Sequence, residues 1–254
     1  MKKFLRKIKK NIRNQLGITK ILENQNQINY KINSFSNQIN EILKASIFNN
    51  TIADSKWLKI KSFSPGRWAV DYAFLYTLYR VLNDTHPKSI LEFGLGQSSK
   101  LIHQYADYFK DVKALTCEHD EVWINFFMCG KEGEYPLKIQ KIDLEEIEYK
   151  GEKTLSIANL NSLVKNEKYD LIVIDAPFGS TKYSRPQILN LIENIENSFC
   201  ILMDDYDRNG EKETIQELFS ILYSSNIKFC STIYSGSKEH ILICSENWKF
   251  LTTM

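Results

Sequence analysis

Apolar residues recur at alternating steps of three and four positions between residues 18 and 45. The series contains Ile18, Ile21, Ile28, Ile32, Phe35, Ile39 and Ile42, and only Gln25 interrupts it. This heptad spacing predicts one helix with a narrow coiled-coil stripe. A single helix cannot bury such a stripe alone. We therefore expect either a homo-oligomer that forms through residues 18–45 or packing of this helix on the body of the same chain.

The residues before this stripe predict a shorter amphipathic helix with a basic face. Apolar Phe4, Leu5, Ile8 and Ile12 are surrounded by seven basic residues, namely Lys2, Lys3, Arg6, Lys7, Lys9, Lys10 and Arg13. Such a helix is typical of segments that make peripheral contact with an anionic membrane. Nucleic-acid binding and a solvated basic end without a partner are the alternatives.

Beyond Ser64-Pro65-Gly66 the pattern changes to an α/β alternation. Helical spacing runs from Arg67 to Leu82. On the whole segment before the first strand, we expect the aromatic residues Trp57, Trp68 and Tyr72 to lie in the core, and a platform for the acceptor is the alternative. Five β-rich runs then predict parallel strands at residues 89–93, 114–117, 137–142, 169–174 and 199–203. Residues 228–234 and 240–244 predict an antiparallel hairpin. The chain is thus expected to be a helical arm (1–50) before a Rossmann-like α/β domain (51–254).

Composition and charge narrow the class of protein. Hydrophobic residues make up 43% of the 254, enough for a sizeable core. Residues 1–50 have a net charge of +8, whereas residues 51–254 have a net charge of −6. The negative charge of the domain disfavours nucleic acid as its partner. The five cysteines form no C-x-x-C pair, and no apolar run is long enough to span a bilayer. We expect a cytoplasmic protein, with possible attachment to the inner face of the membrane.

Two glycines follow the first predicted strand, in the run Glu92-Phe93-Gly94-Leu95-Gly96-Gln97-Ser98-Ser99. Glycines at a strand-to-helix turn let a ligand approach the backbone. The second strand ends at Glu118, 22 residues after Gly96, where a carboxylate can accept both hydroxyls of a ribose. Asp143 follows the third strand, near the place of an adenine edge. An NAD-binding turn would have a third glycine at Ser99.

These residues resemble the class I S-adenosylmethionine-dependent methyltransferases, whose sheet also has five parallel strands and a terminal hairpin. The resemblance covers residues 67–246. It implies that Glu92, Gly94 and Gly96 hold the methionine end of S-adenosylmethionine and that Glu118 holds the ribose. The full candidate set for the cofactor is Glu92, Gly94, Gly96, Gln97, Ser98, Glu118, His119, Asp143 and Asp175.

A closer resemblance is to polysaccharide-modifying methyltransferases such as plant glucuronoxylan 4-O-methyltransferase and bacterial relatives from capsule or surface-glycan clusters. It rests on three short runs: residues 93–96, residues 170–177 with Gly179, and residues 205–208 with Glu211-Lys212. It implies O-methylation of a sugar or a sugar-linked acidic group. A methyltransferase for a small metabolite or RNA, and a non-catalytic scaffold, are the alternatives.

Three carboxylates follow the fourth and fifth predicted strands: Asp175, Asp204 and Asp205. Like charges at one sheet edge need positive charge among them, and hard oxygen ligands suit Mg²⁺ or Mn²⁺. The pattern is similar to the magnesium site of catechol-type O-methyltransferases. The alternative is that no metal binds and that Asp204 and Asp205 cap the next helix.

With a metal, a bound sugar hydroxyl would lose its proton more readily. We expect Asp205 or Asp207 to accept that proton and Arg208, with Lys182 or Arg185 as further candidates, to hold an acidic acceptor. Arg208 in an ion pair with Asp207 or Glu211 is the alternative. The candidate catalytic residues are Asp175, Asp205, Asp207 and Arg208.

Overall fold

A computed structural model describes residues 2–15, 17–66, 68–129 and 136–254. Its helices are α1 (Lys2–Gln15), α2 (Ile18–Ile52), α3 (Tyr72–Thr85), α4 (Gln97–Tyr108), α5 (Glu121–Met128), α6 (Leu160–Val164) and α7 (Asn209–Ser224). Its strands are β1 (Ser89–Phe93), β2 (Lys113–Glu118), β3 (Ile139–Lys141), β4 (Leu144–Tyr149), β5 (Glu152–Ile157), β6 (Tyr169–Ile174), β7 (Ile195–Met203), β8 (Phe229–Ser235) and β9 (Glu239–Ser245). Short 3-10 helices cover Pro186–Asn190, Ile192–Asn194 and Glu246–Thr253.

Seven strands form one sheet in the order β3-β2-β1-β6-β7-β9-β8. The first five are parallel, and β9 runs antiparallel to both β7 and β8. Neighbouring residues of a strand point to opposite faces, so Ile90 and Leu91 of β1 enter different apolar layers. The predicted Rossmann-like architecture of five parallel strands and a terminal hairpin is confirmed, and all five parallel strands end at one edge.

Two connections and one strand differ from the expected ones. Residues 144–157 form a separate antiparallel hairpin, β4–β5. Its two-residue turn has positive φ at both Lys150 (51°) and Gly151 (80°), the geometry of tight hairpins, and this Lys-Gly signal was missed. β3 covers only three residues, and two 3-10 helices stand between β6 and β7 where an α-helix was expected.

Helix α2 continues to Ile52, so the predicted boundary after residue 50 falls inside it. Its last part enters the core through Phe48 and Ile52, whereas residues 21–42 carry a row of exposed apolar side chains. Helix α3 begins five residues later than the pattern starting at Arg67 predicted, because the carboxylate of Asp71 caps it by accepting from the Phe74 amide at 2.8 Å. Arg67 itself lies outside the described residues.

The three aromatic residues expected in the core behave differently from one another. Trp57 is buried and stacks on Tyr79, and Tyr72 is partly buried against the core. Trp68 was wrongly expected there, since 80% of it is exposed. All five cysteines are free, and in the described ranges no helix has both the length and the apolarity to cross a bilayer.

Candidate functional site

The turn between β1 and α4 passes very close to the end of β6. Gly94 has a φ of +104°, and a Cβ atom there would lie 3.2 Å from both the Ala176 Cβ and the Asp175 carbonyl carbon. Glycine is therefore required at this position. At Gly96, by contrast, an added Cβ would meet nothing within 4 Å. Open space thus faces the turn at Gly96, beside the first turn of α4.

Glu92 lies fully buried beneath this turn. Its Oε2 accepts a hydrogen bond from Thr116 Oγ1 at 2.6 Å, and His103 Nε2 lies 2.7 Å from the same hydroxyl oxygen. A hydroxyl has one proton to donate, so the His103 ring is the donor in the second contact. Burial raises the pKa of Glu92 to about 7, although the hydroxyls of Ser98, Thr116 and Ser99 oppose this shift. Glu92 is therefore poised between its neutral and ionised forms near neutral pH.

Glu118 ties the end of β2 to the glycine turn. Its Oε2 accepts from the Leu95 amide at 2.9 Å, and its Oε1 accepts from the amides of His119 (2.7 Å) and Asp120 (2.9 Å). The His119 Nδ1 atom also lies 2.8 Å from Oε1. Burial opposes ionisation of Glu118, but these hydrogen bonds outweigh it and lower its pKa. The carboxylate stays charged and holds the turn in place.

The other candidate cofactor residues occupy different places around the turn. The Gln97 side chain accepts from the Ser64 amide at 3.0 Å, which fastens the segment before α3 to the start of α4. Ser98 is buried. Asp143 is exposed two residues beyond β3, and its carbonyl oxygen accepts from the Ala158 amide.

The three carboxylates that follow β6 and β7 meet as expected. One oxygen of each of Asp175, Asp204 and Asp205 lies within 4.8 Å of the others. Asp204 and Asp205 are buried, and Asp175 is partly accessible. Asp175 is also next to the glycine turn, because its amide donates to the Phe93 carbonyl at 2.8 Å. The carboxylate cluster and the turn thus form one continuous site.

A buried guanidinium lies under this cluster. Arg185 is 1% exposed, and its Nη2 lies 2.7 Å from Asp205 Oδ2 and 3.4 Å from Asp175 Oδ1. Its Nη1 donates to the carbonyls of Ile174 and Asp204, the last residue of β6 and the first after β7. Arg185 therefore joins the two strand ends and faces the protein rather than an acceptor. Lys182 is exposed and pairs with Glu152.

Two further cations approach the carboxylates from the rim. Lys238 Nζ lies 2.9 Å from Asp204 Oδ2 and 3.3 Å from Asp205 Oδ1. Arg208 Nη1 lies 3.0 Å from Asp205 Oδ2 and 3.9 Å from Glu211 Oε1. Lys238 was not predicted. Topology could have predicted its position. Because β9 runs antiparallel to β7, the turn between β8 and β9 must lie at the edge where β7 ends.

The pKa values of Asp175 and Asp205 are shifted in opposite directions by their surroundings. Burial and the neighbouring Asp204 raise the pKa of Asp175 well above its usual value, and Arg185 and Lys238 do not offset them. For Asp205, burial is outweighed by Arg185, Lys238 and Arg208, which lower its pKa. A carboxylate that accepts a proton near neutral pH is needed for base catalysis. The raised pKa favours Asp175 over Asp205 as a proton acceptor, and Asp207 is exposed outside the cluster.

The sequence predicts a divalent cation among these three acids. Such an ion needs several oxygen ligands at about 2.0–2.6 Å that face a common empty position. Here Lys238 and Arg185 already pair with the three aspartates at distances of 2.7–3.4 Å. Protein side chains supply most of the positive charge that these acids require, so the arrangement does not fit a divalent cation.

No family model matches the chain, and no curated protein matches it in sequence. Three solved structures are similar to this chain. The first is an O-methyltransferase from Bacillus cereus with S-adenosylhomocysteine (SAH), at 16% identity and a TM-score of 0.46. The others are the O-methyltransferase TomG from Streptomyces achromogenes with S-adenosylmethionine (SAM), at 13% and 0.49, and the SAH-bound methyltransferase PaMTH1 from Podospora anserina, at 13% and 0.47. They cover 82%, 79% and 82% of this chain, and 90%, 96% and 88% of their own chains, respectively. At 13–16% identity the likeness is one of fold alone.

Proposed function

We propose that the protein is an S-adenosylmethionine-dependent O-methyltransferase. The observation that carries this proposal is the glycine turn between three acids, Glu92, Glu118 and Asp175, with open space at Gly96. A sulfonium is positively charged and suits an acidic cradle, whereas the pyrophosphate of a dinucleotide would be repelled by it. When all groups are ionised, Asp175, Asp204, Asp205 and Glu211 exceed the three nearby cations by one negative charge, which one sulfonium matches.

The transfer itself needs alignment and a base. The acceptor oxygen attacks the methyl carbon, the carbon–sulfur bond breaks with its electron pair on sulfur, and the acceptor hydroxyl loses its proton. Asp175 is the proposed proton acceptor because it is partly accessible and has a raised pKa. Alignment of the two reactants is worth about 7–11 kcal/mol of the barrier. Arg185 and Lys238 fix the acids that surround this base.

Isothermal titration calorimetry with SAM and SAH tests the cofactor. The wild type is expected to bind both, with NAD as the negative control. Gly96→Val is the sharpest variant, since Gly96 has an extended φ of −168° that any residue adopts and its Cβ direction is empty of protein atoms. We expect the variant to keep its unfolding midpoint and to lose SAH affinity by about tenfold or more, because its side chain enters the ligand space. Unchanged affinity in Gly96→Val, or no binding by the wild type, would contradict the proposal.

The proposed acceptor is a sugar that carries an acidic group, as in a surface or capsular polysaccharide or its precursor. Two exposed rings lie at the rim beside Arg208: the Phe178 ring is 5.2 Å from the guanidinium and 5.7 Å from the Trp68 ring. Trp68 is 80% exposed and Phe178 is 60% exposed. Aromatic faces suit the C–H face of a sugar ring, and the five N–H donors of a guanidinium can bind a carboxylate alongside the Asp205 ion pair.

Trp68→Ala checks this acceptor surface. With methyl glucuronoside as acceptor, we expect KM to rise by about tenfold, while kcat and SAH affinity stay unchanged. The matched control is Tyr223→Ala, which removes a ring of similar exposure (73%) at the end of α7. Mass spectrometry of products from methyl glucuronoside and neutral methyl glucoside tests the need for an acid. Equal KM values for Trp68→Ala and the wild type would remove Trp68 from the acceptor site.

We propose in addition that α2 joins copies of the chain. The heptad residues remain uncovered, with Ile21 62%, Ile32 59% and Ile42 71% exposed. Isoleucine at both apolar heptad positions favours a coiled coil of three or four helices over one of two.

In such an oligomer the neighbouring α1 would place several basic helices together for contact with an anionic membrane, because stable attachment needs more than one weak anchor. Co-sedimentation with vesicles of anionic or neutral lipid tests that contact.

A further inference from the structure

The turn between β8 and β9 brings a single ammonium group into the carboxylate cluster. Lys238 Nζ lies between Asp204 and Asp205, at 2.9 and 3.3 Å from one oxygen of each, and only 16% of the lysine side chain is exposed. Burial opposes the charge on Lys238, but Asp204, Asp175 and Asp205 outweigh it and raise the lysine pKa. The group is therefore a permanent cation at physiological pH.

The backbone around this lysine is held firmly in place. The Lys238 amide donates to Asp71 Oδ2 at 3.0 Å, and the Ser237 amide donates to Glu41 Oε2 at 3.2 Å. The other oxygen of Glu41 accepts from the Tyr72 amide. Glu41 of α2 and Asp71 at the start of α3 therefore both hydrogen-bond the backbone of the turn. A Cβ atom at Gly236 would lie 2.4 Å from Asp71 Oδ2, so the close approach requires glycine. The position of Lys238 is thus built into the fold.

We propose that the Lys238 ammonium permanently occupies the place of a divalent cation and that the site works without a metal. One ammonium contacts Asp204 and Asp205 together, as a bridging metal ion would, and a second cation at this point would be repelled by it. Asp204 Oδ1 is buried and has no hydrogen-bond partner in the described part of the chain, so this carboxylate keeps an oxygen that no protein donor satisfies. Only the consequence for catalysis rests on the proposed function.

Titration with Mn²⁺, followed by the electron paramagnetic resonance signal of the free ion, tests this directly. We expect the wild type to show no Mn²⁺ binding that depends on Asp204. Lys238→Ala should gain one site and bind Mn²⁺ about tenfold or more tightly than the wild type, because the repelling charge is gone. Adding Asp204→Asn to Lys238→Ala should abolish the gain. Lys228→Ala, which removes an exposed lysine at the opposite end of the hairpin, is the matched control and should bind as the wild type does.

Two results would overturn the proposal. One is Mn²⁺ binding by the wild type that Asp204→Asn removes, which needs no lysine variant. The other is a folded Lys238→Ala that gains no Mn²⁺ site. Circular dichroism establishes folding, and Lys238→Gln, which keeps a neutral donor of similar length, replaces the alanine variant where that fails to fold. These binding readouts do not require methyl transfer, so they remain decisive even if SAM does not bind. With active enzyme, full retention of kcat in EDTA is the further expected result, and Mg²⁺-dependent recovery of kcat would contradict it.

Discussion

The arm and the carboxyl edge of the sheet both depart from the usual arrangement, in which apolar side chains are buried and charged side chains are exposed. Between residues 21 and 42, α2 leaves large apolar groups exposed, whereas the edge buries charged groups such as Asp204, Asp205 and Arg185. Both arrangements are costly alone, because apolar surface favours burial and buried charge needs partners. At the edge, most of the buried charge is neutralised by side chains of the same chain, in ion pairs at 2.7–3.4 Å. The described part of the arm has no such partners for its stripe, which is why we propose that the stripe packs against other copies.

Removing Arg185 should have the largest effect on this comparison, because its guanidinium contacts both Asp175 and Asp205. Arg185→Met leaves buried Asp205 and partly accessible Asp175 without their central cation. Breaking a buried pair in this way costs about 3–5 kcal/mol. Urea unfolding followed by circular dichroism measures the loss. The control is Lys182→Met, three residues earlier and exposed, which should leave the unfolding midpoint unchanged. Equal stability of the two variants would show that the edge does not depend on internal ion pairing.

The sequence predicted the edge better than it predicted the groups that neutralise it. Strand periodicity located Glu92, Glu118, Asp175 and Asp205 at strand ends, because the carboxyl ends of parallel strands share one edge. Arg185 and Lys238 were harder to place, since they lie in loops with no periodicity. The position of Arg185 depends on a left-handed backbone conformation, with a φ of 57°. The position of Lys238 depends on a tertiary contact, the hydrogen bond from its amide to Asp71. The metal was inferred from acids whose cations come from distant parts of the chain.

Glu92, on the glycine-turn side of the edge, should make the stability of the protein depend on pH. Burial raises the pKa of Glu92 from 4.5 to about 7, so the folded protein binds a proton that the unfolded chain has lost between these pH values. Stability should therefore fall as pH rises through this window, by about 2–3 kcal/mol, and level off above it. Glu92→Gln removes this slope.

The difference between the wild type and Glu92→Gln, measured by urea unfolding at several pH values, isolates this carboxyl group. Burial lowers the pKa of His103 and of His240 to about 4, which makes stability rise with pH between about 4 and 6.5. Both histidines are present in the two proteins and largely cancel in the difference. A difference that does not change between pH 4.5 and 7 would mean that Glu92 is not held in an apolar setting.

The smallest effect on the stability of the domain is expected from the arm, although its effect on assembly should be complete. Ile32→Glu with Ile39→Glu places charges in the stripe, at side chains that are 59% and 49% exposed in one chain. Exposed substitutions change domain stability by no more than about 0.5 kcal/mol, but charges in a coiled-coil seam prevent association. Light scattering after size exclusion should therefore give the monomer mass for this variant and a higher mass for the wild type. Asn26→Glu with Asn33→Glu adds the same charge off the stripe and should keep the wild-type mass. If all three proteins are monomers, the exposed stripe has an occupant other than a second copy.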